Sequence, residues 1–466
     1  MERPVPAIIP PYLLRRLAES AEPGVAEPAN RTLLTDQSIR AERGVLAFRP
    51  ATRPAVMSVD ADAPTAPNRE ISSASNTETL PGTAVRREGD AATGDVAADE
   101  AYDGFGATWE LFHDSYGRDS IDGAGMQLQG TVHYGDGYDN AFWDGERMVF
   151  GDGDGQIFGR FTASLEVIGH ELAHGVTERT AGLIYSGQSG ALNEHVSDVF
   201  GILVKQRHLG QAATESDWLI GADLLLPGVE GVAIRSMIAP GTAYDDPRLG
   251  KDPQPDHMDR YVQTTDDHGG VHLNSGIPNR AFAVAASAVG GQAWAGLGQV
   301  WYDVLTGGAL DARADFAAFA ALTVDAAKAR FGDGSPEHVA VRDGWSTVGV
   351  TGASAEPPAG EAEPPASGGE EPVPGNAELL LRRTGGVTGA VRERRATLEQ
   401  LPARDARRWG SLLSSDTLLT LADRDPVADG FCYRVACEAL SLDVTVAETA
   451  LSKAQRGLFQ RTLLAE

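Results

Sequence analysis

The chain has 466 residues, of which 39 are Lys or Arg and 66 are Asp or Glu, so its formal net charge at pH 7 is -27. A surface this acidic repels phosphate backbones and anionic headgroups, which argues against nucleic acid or a membrane as a main partner. The sequence has two cysteines, Cys432 and Cys437, and two cysteines cannot build a disulfide scaffold. They are five residues apart on a predicted strand, so we expect free thiols on opposite faces.

The first region, residues 1–50, contains the apolar run Ile8–Leu14, which includes a Pro-Pro pair. The prolines keep the chain extended, so a helix is predicted only after them and through Ala18. The N terminus lacks the apolar core of about 7–15 residues that a secretory signal needs. We therefore predict no Sec signal peptide, and either a cytoplasmic precursor or secretion by a non-Sec route.

Composition predicts the remaining boundaries. Residues 51–68 are rich in Ala, Pro and Thr, which predicts an exposed linker and a maturation region. A strand- and glycine-rich part over 69–185 and a helical part over 186–352 follow. Residues 353–375 carry six prolines, five glutamates and no basic residue, which is typical of an extended tether. Residues 376–466 alternate strand-like and helical segments, which predicts a separate small α+β domain.

The segment around His170 predicts a buried helix with a metal-binding face. His170 and His174 are one turn apart, so both imidazoles can share a metal, whereas Glu171 reaches the water that the metal binds. Glu194 and Asp198 are also four residues apart on a second predicted helix. Two histidines and a glutamate form a catalytic zinc site with an open position. We expect Asp198 to accept the spare N–H of a ligand imidazole, that of His170.

These motifs resemble the thermolysin family of metallopeptidases over roughly residues 70–350. A metzincin would need histidine where Thr180 stands. The resemblance implies an α+β fold with a β-rich N-terminal lobe, a mainly helical C-terminal lobe and the zinc helix between them. It implies a zinc-dependent endopeptidase. The matching segments are Tyr138–Trp143, Met148–Gly155, His170–His174, Thr180–Tyr185, Gly190–Asp198, Ile234–Met237 and Asp267–Gly276.

Catalytic roles are implied residue by residue. Zinc and Glu171 would activate a water, and Glu171 would pass its proton to the leaving amine. His272 and Tyr185 would stabilise the oxyanion, and Asp267 would orient His272. His195 follows a metal ligand in the sequence but faces elsewhere on its helix, so we interpret it as structural.

Substrate binding is implied in the same way. Asn140, Ala141 and Arg235 would hold the peptide backbone. Six apolar residues would line the pocket for the residue after the scissile bond, which implies a preference for bulky apolar side chains there: Phe158, Phe161, Val167, Ile220, Leu224 and Ile234.

One departure from the family pattern concerns calcium. Glu166 and Asp217 match positions of the family's double calcium site, but Lys205, Leu219 and Ala222 replace acidic residues there. A lysine ammonium repels a cation, and too few oxygens remain for the roughly 6–8 oxygen ligands that calcium takes. We predict one catalytic Zn²⁺ and no double calcium site.

Both flanks carry further resemblances. Ile8–Leu14 and Arg31–Thr35 resemble the short propeptide of the protealysin-like branch, which implies that residues 1–50 block the cleft until self-cleavage between about 50 and 70. Arg383–Gly386 and Asp429–Val435 are similar to emfourin, a small inhibitor associated with such peptidases. This implies a built-in inhibitor or regulator. A module that binds substrate or another partner is the alternative.

Two other functions are open at this point. A silent scaffold that keeps the zinc fold for binding would be revealed by loss of Glu171 or His272, and both are present. A gluzincin aminopeptidase needs an acidic site for a free peptide N terminus, and none is evident. We predict an endopeptidase for protein or peptide substrates, with its propeptide and C-terminal domain as intramolecular inhibitors.

Overall fold

The computed structural model describes residues 6–46 and 66–350, and in the C-terminal part 378–385, 392–401, 431–437, 442–448 and 453–464 with isolated positions between them. The chain divides into two units, Met1–Glu356 and Pro357–Glu466. The predicted tether and most of the predicted 51–68 linker lie outside the described residues. No helix in the described parts is long and apolar enough to cross a membrane.

The N-terminal lobe of the first unit is built on a five-stranded sheet. Its strands are β1 (Arg69–Thr77), β2 (Thr83–Arg87), β3 (Leu128–Tyr134), β4 (Ala141–Trp143) and β5 (Met148–Phe150). The order is β2-β1-β3-β5-β4, with β1, β3 and β5 parallel and the outer strands antiparallel to their neighbours. Strand β4 is therefore an edge strand, open to pairing with a peptide.

Two helices precede this sheet, α1 (Pro11–Ala18) and α2 (Pro23–Leu46). Pro11 occupies the first turn of α1, where its fixed φ suits a helix and its missing N–H costs nothing. The predicted helix through Ala18 is present, but it begins at Pro11 and not after the Pro-Pro pair as expected, and α2 was not predicted. Just before α1, Ala7 lies opposite Phe142 in an antiparallel bridge. The N-terminal segment, residues 6–46, therefore adds to the sheet at its β4 edge.

Helices form most of the remaining first unit. They are α3 (Val96–Glu110), α4 (Leu165–Arg179), α5 (Gly187–Leu209), α6 (Asp267–Asn274), α7 (Gly276–Val289), α8 (Leu297–Thr306), α9 (Phe316–Phe331) and α10 (Pro336–Thr347). Short antiparallel pairs link them: β6 (Leu219–Ile220) with β7 (Arg235–Ser236), and β8 (Asp245–Asp246) with β9 (Gly250–Lys251). The unit thus changes from β-rich to helical at α4 and α5.

Helices α4 and α5 approach each other at two glycines. A Cβ on Gly201 would lie 2.4 Å from the backbone oxygen of Glu166, and a Cβ on Gly169 would lie 3.0 Å from the Cα of Gly201. Real Cβ atoms essentially never approach as closely as 2.4 Å, so a side chain at Gly201 would force the Glu166 backbone to shift, whereas one at Gly169 would require a smaller shift. The close crossing brings His170 on α4 to within 2.8 Å of Asp198 on α5.

The second unit contains a four-stranded antiparallel sheet in the order β11-β10-β12-β13. Its elements are β10 (Glu378–Gly385), β11 (Arg392–Thr397), β12 (Phe431–Cys437), β13 (Leu442–Ala447) and the helix α11 (Lys453–Leu464). Trp409, Tyr433 and Phe459 lie in its core. Both cysteines are free, Cys437 buried and Cys432 partly exposed, as predicted. Most of residues 402–430, between β11 and β12, lie outside the described residues.

Candidate active site

Three side chains predicted as metal ligands converge between α4 and α5. His170, His174 and Glu194 are buried, and each offers a ligand atom within 4.8 Å of the other two. The two Nε2 atoms are 3.0 Å apart, and each lies 3.5 Å from a Glu194 oxygen. Ligand atoms bound to one tetrahedral zinc ion at about 2.0–2.1 Å lie roughly 3.3 Å from each other. The spacing therefore fits a single zinc ion.

The protonation chemistry of these donors fits a cation as well. Burial first, and then the neighbouring His170, lower the pKa of His174 to about 3, so its ring is neutral. Burial opposes ionisation of Glu194, but His272 and the two ligand imidazoles lower its pKa overall. Its Oε2 is buried without a hydrogen-bond partner among the described residues. A metal ion would satisfy a buried carboxylate whose two oxygens each lie 3.5 Å from the Nε2 atom of a ligand imidazole.

Each ligand imidazole is oriented through its other nitrogen. His170 Nδ1 lies 2.8 Å from Asp198 Oδ1, as predicted, and His174 Nδ1 lies 2.8 Å from Asn193 Oδ1. Asn193 in turn donates through Nδ2 to the backbone oxygen of Leu183, which fixes its amide. Sequence reasoning missed Asn193, although it directly precedes Glu194. These contacts place the Nδ1 protons, so both Nε2 atoms face the metal position.

Glu171 lies beside the ligands without pointing at the same position. Its Oε2 accepts a 3.1 Å hydrogen bond from the N–H of Trp143 on β4. Its Oε1 is buried and has no hydrogen-bond partner in the described part of the chain. Burial first, and then the negative charge of Glu194, raise the pKa of Glu171. A carboxyl group in this environment is suited to accept and return a proton.

His272 is held by an unusual backbone turn. Asp267, His268, Gly269 and Gly270 all have positive φ, which makes one left-handed turn before the rest of α6. Through this turn Asp267 accepts from the N–H of His272 at 2.9 Å and binds its Nδ1 at 2.7 Å. Burial lowers the pKa of His272, but Asp267 and Glu194 raise it overall to about 9. The ring is therefore a charged donor at neutral pH.

Tyr185 completes this side of the site. Its hydroxyl donates to Glu194 Oε1 and lies 3.2 Å from His272 Nε2. The predicted pair of oxyanion donors thus shares one small volume next to the metal position. The structure brings together all of the predicted catalytic and metal-binding residues.

The N-terminal segment occupies the cleft beside these groups. His272 Nε2 lies 3.0 Å from the backbone oxygen of Ala7. Ile8 donates its N–H to the backbone oxygen of Ala141 at 3.1 Å, and its own oxygen accepts from Arg235 Nη1 at 3.1 Å. The carbonyl of Ala7 thus faces the oxyanion donor, and the next residue is held as a peptide would be.

Asn140 contacts both backbone polar groups of Ile9. The N–H of Ile9 donates to Asn140 Oδ1 at 2.9 Å, and Asn140 Nδ2 lies 3.4 Å from the Ile9 oxygen. Asp36 of α2 also accepts from Asn140 Nδ2, at 3.2 Å, and from the hydroxyl of Tyr138 at 2.6 Å. All three predicted backbone-holding residues are therefore engaged by the N-terminal segment. Asp36 was not singled out from the sequence.

The six residues predicted to line the specificity pocket are buried. They belong to the same continuous apolar core as Ile8, whose side chain is fully buried. These residues are Phe158, Phe161, Val167, Ile220, Leu224 and Ile234.

Lys205 lies among the carboxylates at the predicted calcium positions. Its Nζ is 3.7 Å from Glu166 Oε1 and 3.0 Å from Asp217 Oδ2. Burial lowers the pKa of Lys205, but Glu166 and Asp217 raise it overall, so the ammonium stays charged. Glu166 also accepts from the N–H of Gly221 at 3.0 Å.

Comparisons with known proteins agree with this geometry. Residues 51–178 match the catalytic domain of thermolysin metallopeptidases, residues 181–350 match their alpha-helical domain, and residues 381–463 match emfourin. The chain is 50% identical over 348 residues to an "Extracellular metalloprotease" of Pectobacterium carotovorum subsp. carotovorum, which covers 75% of this chain and 97% of that relative. It is 44% identical over 346 residues to "Protease PrtS" of Photorhabdus sp. (strain Az29), covering 74% and 91%.

A solved structure is also similar to this chain. It is the precursor of protealysin, a metalloproteinase from Serratia proteamaculans, with 51% sequence identity and a TM-score of 0.66. The match covers 74% of this chain and 100% of that chain. The predicted α+β fold with a β-rich and a helical lobe is confirmed, together with the emfourin-like region.

Proposed function

The chain is a metallopeptidase of the thermolysin family, and we propose that it is a zinc endopeptidase that cuts before bulky apolar residues and is made as a self-processing precursor. The observation that carries this proposal is the peptide-like binding of Ala7 and Ile8 beside His170, His174 and Glu194. These three ligands would hold Zn²⁺, which when bound supplies a Lewis acid and lowers the pKa of water.

The remaining groups divide the chemistry between them. Glu171 takes the proton of the attacking water on its Oε1 and delivers it to the leaving nitrogen. His272 and Tyr185 donate to the carbonyl oxygen as negative charge develops there. Loss of one such donor typically costs about 10²–10³ in rate. Asp267 keeps the His272 ring in place through its Nδ1 contact.

Specificity is assigned to the apolar pocket. Ile8 follows the carbonyl that faces His272, so its side chain stands where the residue after the scissile bond would bind. Its full burial supports a preference for branched or aromatic side chains at that position. Burying one such side chain contributes about 1.5–3 kcal/mol.

The N-terminal segment acts as an inhibitor in the precursor. It fills the positions that a substrate backbone needs, through Ala141, Arg235 and Asn140. We assign residues 1–50 as the propeptide and place the maturation cut between about 50 and 70. Mass spectrometry of purified precursor over time should show shortening from the N terminus, whereas a Glu171→Gln form should stay intact. Identical behaviour of both forms would refute self-processing.

The predicted C-terminal domain, residues 376–466, is assigned as a tethered inhibitor because residues 381–463 match emfourin. A tethered inhibitor has an effective concentration on the order of millimolar, at which even a modest inhibitor would largely occupy the cleft. Adding a separate 376–466 fragment to a 69–352 enzyme tests this. Unchanged peptidase activity would favour a partner-binding module instead.

The peptidase itself is tested by a casein digest read by mass spectrometry, with and without a zinc chelator. We expect cuts before Leu, Ile, Phe and Val that the chelator abolishes. Cuts without this preference would refute the specificity assignment, and cuts that survive the chelator would refute the zinc mechanism. The relative from Pectobacterium carotovorum subsp. carotovorum is called an extracellular metalloprotease, which supports the proposal that this chain also acts outside the cell.

A further inference from the structure

A line of buried hydrogen bonds leads from the helical lobe to the metal ligands. Trp301 Nε1 lies 2.7 Å from His195 Nε2, and His195 Nδ1 lies 2.9 Å from Asn279 Oδ1. Asn279 Nδ2 lies 2.8 Å from Asp198 Oδ2, and the other oxygen of Asp198 binds His170 Nδ1. Side chains from α8, α5 and α7 are thus connected in series to the predicted zinc ligand.

The donors and acceptors in this series have only one consistent order. An indole N–H can only donate, so His195 Nε2 must be the acceptor and His195 Nδ1 must carry the proton. Asn279 then accepts on Oδ1 and donates from Nδ2 to the carboxylate of Asp198. Each member therefore fixes the orientation of the next.

The surroundings of His195 keep this order rigid. His195 and Asn279 are fully buried. The imidazole makes edge contacts with Trp301, Phe319 and Trp345, with ring centroids 5.9–6.3 Å away. A ring enclosed in this way has no water as an alternative partner, so a lost contact is not replaced.

We propose that His195 and Asn279 are positioning residues of the metal centre, which hold Asp198, and through it His170, in the orientation that retains zinc. This revises the purely structural interpretation of His195. The inference rests on the proposed zinc function, and it adds residues outside the ligands and their direct partners. Asn279 would act through Asp198, because its amide donates directly to that carboxylate.

The expected effects decrease with distance from the metal. Mutating a group that supports a ligand typically costs about 10–100-fold in metal affinity. Asn279→Ala removes a direct donor to Asp198, so zinc should leave about tenfold faster. His195→Leu acts one step further away, and we expect zinc to leave about threefold faster, below that range. His195→Gln offers an amide donor and an acceptor, and should stay close to the parent.

The test measures zinc release from full-length Glu171→Gln precursor, which should not cut itself, into a chromogenic chelator. A matched control is Thr323→Val, which removes the 2.8 Å hydrogen bond from Trp345 Nε1 in the same core but none of the hydrogen bonds in the series that ends at Asp198. Faster release from Asn279→Ala and His195→Leu, near-parent release from His195→Gln and unchanged release from Thr323→Val support the proposal.

Other outcomes overturn it in distinguishable ways. If the parent retains zinc and both broken variants release it at the parent rate, the positioning role is wrong and the proposed function stands. Equal acceleration by Thr323→Val would reduce the effect to general loosening of the core. A parent that binds no zinc refutes the proposed function together with this inference. If His195→Leu does not fold, the zinc-release rates of Asn279→Ala and Thr323→Val are compared: faster release from Asn279→Ala supports the proposal, and equal rates overturn it.

Discussion

Arg235 and Asp198 form a bidentate ion pair that joins the peptide-binding side of the cleft to the metal-binding side. Arg235 Nε and Nη2 lie 3.1 and 2.8 Å from the two oxygens of Asp198, while its Nη1 donates to Ile8. Burial raises the pKa of Asp198, but Arg235 and His170 hold it far below its usual range. One carboxylate thus holds both the arginine that contacts Ile8 and the histidine that we propose as a metal ligand.

This pair predicts coupled effects of substitution. Asp198→Asn leaves the buried Arg235 charge without its partner, which typically costs about 3–5 kcal/mol of stability. Adding Arg235→Met to that variant removes the orphaned charge and should restore part of the loss. Thermal unfolding of the four proteins of the double-mutant cycle, all in a Glu171→Gln background, measures the coupling. Additive effects would show that the two residues do not act as a pair.

The glycine crossing of α4 and α5 predicts a steric requirement. Gly201→Ala places a Cβ against the backbone of Glu166, which cannot move like a side chain. We expect a loss of about 1–3 kcal/mol in the free energy of unfolding, as for other overpacked sites, and weaker zinc binding. Gly24→Ala in α2 is the control, since the nearest atom is 3.9 Å away. An equally mild effect at both positions would contradict the crossing argument.

The binding of Ile8 in the cleft predicts how the precursor is released. Ile8→Asp puts a charge into a fully buried apolar position, so the N-terminal segment should leave the cleft and the precursor should become active sooner. Leu34→Asp in the same segment is the control, because Leu34 is 64% exposed. Initial rates with a quenched peptide measure the difference. Equal rates for the two variants would mean that Ile8 does not block the site.

We expect the contribution of His133 to the free energy of unfolding to depend on pH. Its two ring nitrogens bind Asp152 at 2.8 Å and Asp95 at 2.9 Å, which requires the doubly protonated ring. Burial lowers the pKa of His133, but the two carboxylates raise it overall. A raised pKa gives stability that is complete below about pH 6.5, the unfolded value, and is lost as pH rises through the folded pKa.

The measurement compares thermal unfolding midpoints of His133→Gln and its parent, both in the Glu171→Gln background. We expect the parent to be the more stable by a larger margin at pH 6 than at pH 9. A margin that does not change with pH would show that His133 is not charged in the folded chain.

We expect calcium to give little thermal protection, because the ammonium of Lys205 lies among the carboxylates at the predicted calcium positions. It already balances the charges of Glu166 and Asp217, and a calcium ion would have to displace it. Millimolar calcium should therefore shift the unfolding midpoint no more than equal magnesium does. Lys205→Met should lower the midpoint, because the buried Glu166 loses its counter-charge. Protection by calcium of more than a few degrees would contradict the prediction that the double site is absent.

The local part of the site could be predicted from the sequence because it depends on helical spacing. His170 with His174, and Glu194 with Asp198, are each four residues apart, and that spacing alone puts each pair on one face of a helix. Similarly, the Pro-Pro pair determines where α1 begins. The alternation of Cys432 and Cys437 across a strand followed from its period of two.

What was missed depends on contacts between distant parts of the chain. Asn279 reaches Asp198 across 81 residues, and Asp36 reaches Asn140 across 104. No local periodicity encodes such pairs. The two glycines of the left-handed turn at Asp267–Gly270 are visible in the sequence. The sequence alone does not show that the turn is left-handed, because this conformation forms together with the hydrogen bond from the N–H of His272 to Asp267. The sequence pattern predicts elements and faces, while tertiary packing selects partners.

The most direct test of the account is the zinc content of purified full-length protein and two variants, measured together with casein cleavage after each protein has been incubated under the conditions in which the unchanged protein processes itself. We predict one zinc per chain in the unchanged protein and in Glu171→Gln, with cleavage only in the former, and neither zinc nor cleavage in Glu194→Ala. A Glu194→Ala protein that keeps stoichiometric zinc and full proteolysis would contradict the assignment of the metal site.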